Sequence, residues 1–224
     1  MANFNEVMDE LISERISTLF EIERTIYTGR YNLSKKHKNL LAAQSISMIY
    51  SLWEGFIQRA FGAYTDEINQ RNIPFIELSN EIKIFHMESA FKQLYAYPQN
   101  DNGKIQFFTK LSNFHTTPYQ RIHRIVNTES NVGFDVLNKL LKRFSLETFP
   151  THWEQYAHPN SNLKDTISDF LRIRNAIGHG GDISSEVITT HESYMRYKNL
   201  TISLMYEVNL KMTTGLSNNT FRSS

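Results

Sequence analysis

The chain has 224 residues, 40% of them hydrophobic, which is enough to bury a real core as one large or two small domains and excludes a disordered tail. Its 24 basic and 23 acidic residues leave a net charge of +1, so a nucleic-acid partner has to be held by a local patch and not by a global positive field. The lack of cysteine removes disulfide frameworks and thiolate metal sites and fits a reducing compartment, the cytoplasm by default.

The start, M1-A-N-F-N-E-V-M-D-E10, is acidic and amphipathic, without the basic and apolar regions of a secretory signal, and no apolar run reaches membrane-spanning length. Residues 5 to 27 place Val7, Leu11, Ile12, Ile16, Leu19, Phe20 and Ile26 at helical spacing and predict an amphipathic helix that ends before Gly29. A longer helix follows Ser34. Its second half keeps Ile49, Leu52, Trp53, Phe56, Ile57, Ala60, Phe61, Tyr64 and Ile68 on one broad face until Asn72 and Pro74 stop it, which marks it as the central core helix. Ser79 can cap a third helix carrying Ile82, Phe85, Met87, Phe91 and Leu94 and closing before Pro98.

Between Pro98 and Pro159 the periodicity predicts shorter helices at about 104–114, 118–127 and 133–144, joined by polar turns at Asn100-Asp101-Asn102-Gly103 and Thr128-Glu129-Ser130-Asn131. A helix from about Asn162 to Gly178 and a last one from about Thr190, with Tyr194, Tyr197, Leu200, Leu204, Met205 and Val208, complete an all-α chain. No repeat, low-complexity tract or Gly/Ser linker divides it. A single up-down helical domain is expected over residues 1–215, with a helical insertion at about 98–160 and a flexible polar tail at 216–224.

The stretch R172-I-R-N-A-I-G-H-G-G181 breaks the pattern of its own helix. The apolar stripe Ile167, Phe170, Leu171 calls for a further hydrophobe three or four positions on, and Arg174 stands there. A lone guanidinium is costly to bury, so it must pair with a carboxylate, snorkel outward, or face a wet cleft or a second subunit. Asn175 and His179 share the adjacent face as an i, i+4 pair, and Gly178, Gly180 and Gly181 mark a helix terminus. There His179 stands at the negative end of the helix dipole with Arg174 nearby, and an imidazole is a side chain suited to proton transfer. Singly, each residue has an ordinary explanation as a cap or a surface ion pair. Together, at the end of a core helix, they supply a phosphate clamp, a polar positioner and a proton shuttle.

R174-N-A-I-G-H179 resembles the R-x(4–6)-H motif, with a polar residue directly after the arginine, that marks catalytic members of the HEPN superfamily. The fuller string T166-I-S-D-F-L-R-I-R-N-A-I-G-H-G-G181, S51-L-W-E-G-F56 in the second helix and T128-E-S-N131 also look like stand-alone bacterial HEPN nucleases, so the resemblance spans about residues 5–210. It implies a HEPN-like up-down bundle and a metal-independent endoribonuclease, active as a homodimer with its two motif helices meeting at a shared cleft. It further implies His179 as general acid or base, Arg174 as stabiliser of the phosphorane, and products with 2′,3′-cyclic phosphate and 5′-hydroxyl ends. Family habit makes the biological role that of a toxin or anti-phage effector, with an antitoxin or associated defence protein as the kind of partner. A non-catalytic module of the same fold that binds nucleotide, RNA or a protein is the alternative.

Asn175 is expected to orient the substrate or the histidine. Glu54, within W53-E-G-F56, is either a partner of Arg174 or Arg172 that orients the cleft, a buried hydrogen-bond acceptor, or a residue on a solvated edge, and Gly55 suits close helix packing. Arg172 can bridge Asp169 at i, i+3 or contact RNA, and Ser130-Asn131 can cap a helix beginning near Gly133, with phosphate contact as the lesser alternative. Lys35, Lys36 and Lys38 form the dense basic run, a candidate for RNA backbone contact or an ordinary solvated face. The eight histidines contain no H-x-H or H-E-x-x-H pair, so neither a metal nor a cofactor is expected.

Overall fold

In a computed structural model, which describes residues 3–94, 96–129, 131–154, 162–179 and 190–223, the chain folds into α-helices and contains no strand among those residues. The helices are α1 (Phe4–Tyr27), α2 (Lys35–Gln70), α3 (Asn80–Ala90), α4 (Asp101–Thr116), α5 (Phe134–Arg143), α6 (Leu163–Gly178) and α7 (His191–Ser217). None of them is long and apolar enough to cross a membrane.

The apolar stripe of α2 is the axis around which the rest assembles: α1, α6 and α7 pack against it, α1 also packs on α7, and α5 touches both α3 and α6. Trp53, Phe56, Phe61 and Tyr64 are all but inaccessible, so removing water from these large side chains is the main force that fixes α2 at the centre. The helix starts are set locally. Ser34 Oγ accepts from the His37 amide, Ser79 Oγ from Ile82, Asn162 Oδ1 from Asp165 and Thr190 Oγ1 from Ser193, each satisfying an amide that the helix itself leaves unpaired.

The expected helix at 118–127 is absent, because that segment is an extended strap running antiparallel along α2. Asn69 acts as a surrogate strand edge, accepting from the Ile122 amide at 2.8 Å and donating to the Ile122 carbonyl at 3.1 Å. Further along, Arg124 pairs with Asp66 at 3.0 Å and lies 3.3 Å from where a Cβ on Gly62 would stand. Gln58 donates to Thr128 at 3.2 Å, and Tyr50 and Trp53 hold Val132. As the strap advances from 122 to 128, its partners on α2 recede from 69 to 58. Six extended residues would cover ~20 Å and eleven helical ones ~17 Å, so strap and helix keep pace up to the turn that the Asn131 amide closes on the Thr128 carbonyl.

Three other expectations change. The third helix stops at Ala90, where Phe91 leaves helical geometry, and residues Lys92–Leu94 form a separate 3-10 turn. Asn100 to Gly103 is not a turn but the cap and first turn of α4, with Asn100 Oδ1 accepting from the Gly103 amide at 2.7 Å. The tail expected to be free packs against the bundle through residue 223: α7 runs to Ser217, Phe221 is fully buried beneath the Arg71 guanidinium, and the Ser223 amide donates to the Glu77 carbonyl at 2.8 Å. One aromatic anchor outweighs the polarity of its neighbours.

Candidate nucleic-acid site

α6 presents Leu163, Thr166, Ile167, Phe170 and Ile177 to the core, and Arg174 continues that line where the core gives way to a cleft. Phe170 packs between Tyr50, edge-on at 5.7 Å, and Tyr197, stacked at 4.7 Å. One turn later the aromatic surface of Tyr50 receives a cation: the Arg174 guanidinium carbon lies 4.6 Å from the ring centre. Arg174 Nη1 donates to Asn175 Oδ1 at 2.8 Å and to Asn131 Oδ1 at 3.2 Å. Both acceptors are neutral, and among the described residues no carboxylate pairs with this half-buried guanidinium.

The strap supplies Asn131, and α2 holds the strap. The Val132 amide donates to the Tyr50 hydroxyl at 2.6 Å, and Trp53 Nε1 donates to the Val132 carbonyl at 3.2 Å, so both polar groups of a fully buried residue are satisfied by one face of α2. Burial pushes the Tyr50 phenol up to about 12, and the Glu54 carboxylate adds to this, while the Val132 amide and Arg174 pull the other way. Tyr50 therefore stays neutral, with its ring under the guanidinium and its oxygen on the strap.

Beside this cluster opens a basin of about 750 Å³ lined by Glu54, Gln58, His123, Asn127, Thr128 and Arg174. The basin lies within the ~300–1,000 Å³ usual for small-molecule sites. Thr128 is buried and central: its hydroxyl donates to Glu54 Oε1 at 2.9 Å while accepting from Gln58. Glu54 thus holds the strap as a half-buried hydrogen-bond acceptor and forms no pair with Arg174 or Arg172. Gly55 is not a close-packing device either, because a Cβ there would meet only Arg15 Nη2, at 3.8 Å.

Asn175 engages Arg174 through its side chain and His179 through its backbone, accepting from the His179 amide at 3.0 Å. His179 is the C-cap of α6, following Gly178, and is exposed; it is not among the residues that line the basin. Gly180 and Gly181 lie outside the described residues, as does Ser130. Arg172 points away to an exposed bridge with Asp169 at 3.4 Å. Lys35, Lys36 and Lys38 are exposed on the first turn of α2, about 24–28 Å along that helix from Glu54, and belong to a different region of the surface.

Asn131 does not cap α5, whose N-cap is Gly133, 2.9 Å from Leu171 Cδ1 when a Cβ is built on it. Its side chain is spent on Arg174. Tyr50, Asn131 and Thr128 are the site residues that helical periodicity conceals: Tyr50 sits on a core stripe, and the other two lie in a polar stretch that reads as a turn.

No curated protein and no solved structure matches the chain. A family model, HEPN_MAE_28990-like HEPN, matches residues 5–221, nearly the whole length of an all-helical fold that carries R174-N-A-I-G-H179 at the end of its penultimate described helix. The chain belongs to the HEPN_MAE_28990-like HEPN family.

Proposed function

We propose that the protein is a metal-independent endoribonuclease of the HEPN type. The observation that carries this is Arg174, a half-buried guanidinium held by two neutral amide oxygens and a ring, facing an open basin, about one and a half helical turns from an exposed histidine. A cation so placed has donors left over and favours an anionic occupant. A phosphodiester satisfies it.

His179 serves as the proton-transfer group. As a base it takes the proton of the ribose 2′-hydroxyl, whose oxygen attacks phosphorus; as an acid it gives a proton to the departing 5′-oxygen. The P–O5′ bond breaks as the P–O2′ bond forms, leaving a 2′,3′-cyclic phosphate and a 5′-hydroxyl. Arg174 stabilises the extra negative charge on the pentavalent phosphorus centre, a role worth roughly 10²–10³ in rate for comparable donors. Asn175 and Asn131 keep the guanidinium from swinging toward solvent.

Each chain brings one motif histidine, and the reaction uses one base and one acid. A homodimer that sets two α6 ends against each other across a twofold axis supplies both from identical chains. Family membership supports the reading further, and with it a role as a cytoplasmic toxin or anti-phage effector held in check by a partner protein.

Purified protein incubated with total RNA in EDTA is expected to give fragments with cyclic-phosphate and 5′-hydroxyl ends. Folded Arg174→Ala and His179→Ala variants should lose this activity. Intact RNA with the wild-type chain would leave a non-catalytic HEPN module, and wild-type-like cleavage by the two folded variants would overturn the assignment of the chemistry to Arg174 and His179.

A further inference from the structure

Three further candidates come into view besides the strap-side basin. A groove between α1 and α2, lined by Ile22, Met48 and Leu52, is apolar, and nothing marks what would cover it. A pocket beside Phe75 and Phe114 is likewise apolar, and Lys83 at its edge already donates to the Ile76 carbonyl. The Glu23–Lys198–His191 cluster is internally compensated. The basin differs from all of these, because its polar groups line open space beside a cation that no carboxylate pairs with among the described residues.

We infer that the basin walled by Glu54, Gln58, Asn127 and Thr128 is a nucleobase subsite that selects guanine next to the phosphate held by Arg174; this rests on the RNA-cleavage reading of the same site. Glu54 sets the choice. It is fixed in place by the Thr128 hydroxyl at 2.9 Å, and Thr128 is in turn held by Gln58 at 3.2 Å, so the carboxylate is a rigid acceptor and not a mobile surface group. Among the described residues Glu54 makes no other hydrogen bond, which leaves Oε2 and the second lone pair of Oε1 available on a residue that lines the basin.

Of the four RNA bases, guanine alone shows two adjacent donors on its Watson–Crick edge, N1–H and the exocyclic N2 amine, and a carboxylate takes both side by side. Uracil has one donor between two acceptors. Adenine and cytosine each have an exocyclic amine next to a ring acceptor, which would face the second carboxylate oxygen with like polarity. Guanine O6 then needs a donor. Gln58 Nε2, with one hydrogen on Thr128, has another, and the Asn127 amide shares the wall.

The strap also provides a face for the base. Ile125 is 72% exposed and lines the basin with the exposed imidazole of His123, whose Nδ1 is tied to the Ile125 carbonyl at 3.2 Å. A large apolar side chain left that open beside an anchored ring offers the stacking surface on which single-stranded RNA bases are splayed and read.

The test measures binding without cleavage. Guanosine, adenosine, cytidine and uridine 3′-monophosphates are titrated into full-length His179→Ala protein by calorimetry, and again into the same protein carrying Glu54→Gln or Gln58→Ala, with the thermal midpoint checking the fold. Guanosine 3′-monophosphate is expected to bind about tenfold or more tightly than the others. Glu54→Gln should bring it to their level and Gln58→Ala should weaken it in part. Equal affinities for the four, or a guanosine preference untouched by Glu54→Gln, would overturn the subsite. If Glu54→Gln unfolds the chain, the exposed Gln58→Ala variant decides on the same criterion. RNA left whole by the wild-type chain while the guanosine preference stands would remove the nuclease reading and leave the subsite; cleavage with no base preference would do the reverse.

Discussion

Tyr50 joins two functions in one side chain: its ring lies 4.6 Å beneath the Arg174 guanidinium, and its hydroxyl receives the Val132 amide at 2.6 Å. The strap residue next to Val132 is Asn131, which itself accepts from Arg174. The cation is therefore located by α2 twice, directly through the ring and indirectly through the strap. A network of this kind fixes a side chain that has no counter-ion among the described residues.

Replacing Tyr50 separates the two routes. Tyr50→Phe keeps the ring but leaves the buried Val132 amide without its acceptor, a loss of ~1–3 kcal/mol read by urea unfolding. RNA cleavage should fall with it as Asn131 loses its anchor. Tyr50→Leu removes the ring too and should cost activity beyond Tyr50→Phe, by about 0.5–2 kcal/mol of transition-state binding. Equal activity of the two variants would mean that the cation–ring contact does not position Arg174.

Asn131→Asp turns a neutral holder of Arg174 into a counter-ion at the same distance. The folded state should be as stable as wild type or slightly more so, since a half-buried charge gains a partner. RNA, by contrast, must now compete with that carboxylate. Substrate affinity should drop by about tenfold or more while the melting temperature holds. A variant with unchanged kcat/KM would show that the free charge of Arg174 is not what the substrate meets.

Much of the bundle is legible in sequence because it is locally encoded. The stripes of α1, α2 and α7 and the caps Ser34, Ser79, Asn162 and Thr190 all lie within a few residues of what they control. The strap is the opposite case. Tyr119, Ile122 and Val126 are spaced as on a helix, yet the segment is drawn out by Asn69, Asp66, Gln58 and Tyr50, partners 50 or more residues away whose geometry exists only once α2 has formed. For the same reason Arg174 and His179 can be picked out from their helix alone, whereas Asn131 and Thr128 cannot: their role is set by a face of α2 that looks like plain core.

The last residues form a second long-range lock. Phe221 is fully buried under Arg71, whose Nη1 also donates to the Leu216 carbonyl at 3.1 Å. Phe221→Ala should cost ~3–5 kcal/mol, the usual range for deleting a large aromatic from a packed site. Arg222→Ala, next to it but exposed, should cost under about 1 kcal/mol. Chemical denaturation of both variants checks this, and similar small losses would mean that the tail is not part of the core.

Acid sensitivity should be concentrated at Glu23. Burial works to raise its pKa, but the hydrogen bonds and charges of Lys198, at 2.5 Å, and His191, at 2.9 Å, outweigh it, so the folded carboxyl lies below its ordinary 4.5. A carboxyl depressed by folding contributes stability that is fully present above the unfolded value and is lost as pH falls through the lower folded one. The wild-type chain should therefore lose stability progressively below about pH 4.5. Glu23→Gln abolishes the titration and strands the Lys198 ammonium, which is 3% exposed, at a cost of ~3–5 kcal/mol near neutrality. Its stability should then fall less steeply in acid than that of the wild type, so the two curves of unfolding free energy against pH converge toward low pH. Parallel curves would show that this pair does not govern the acid limb.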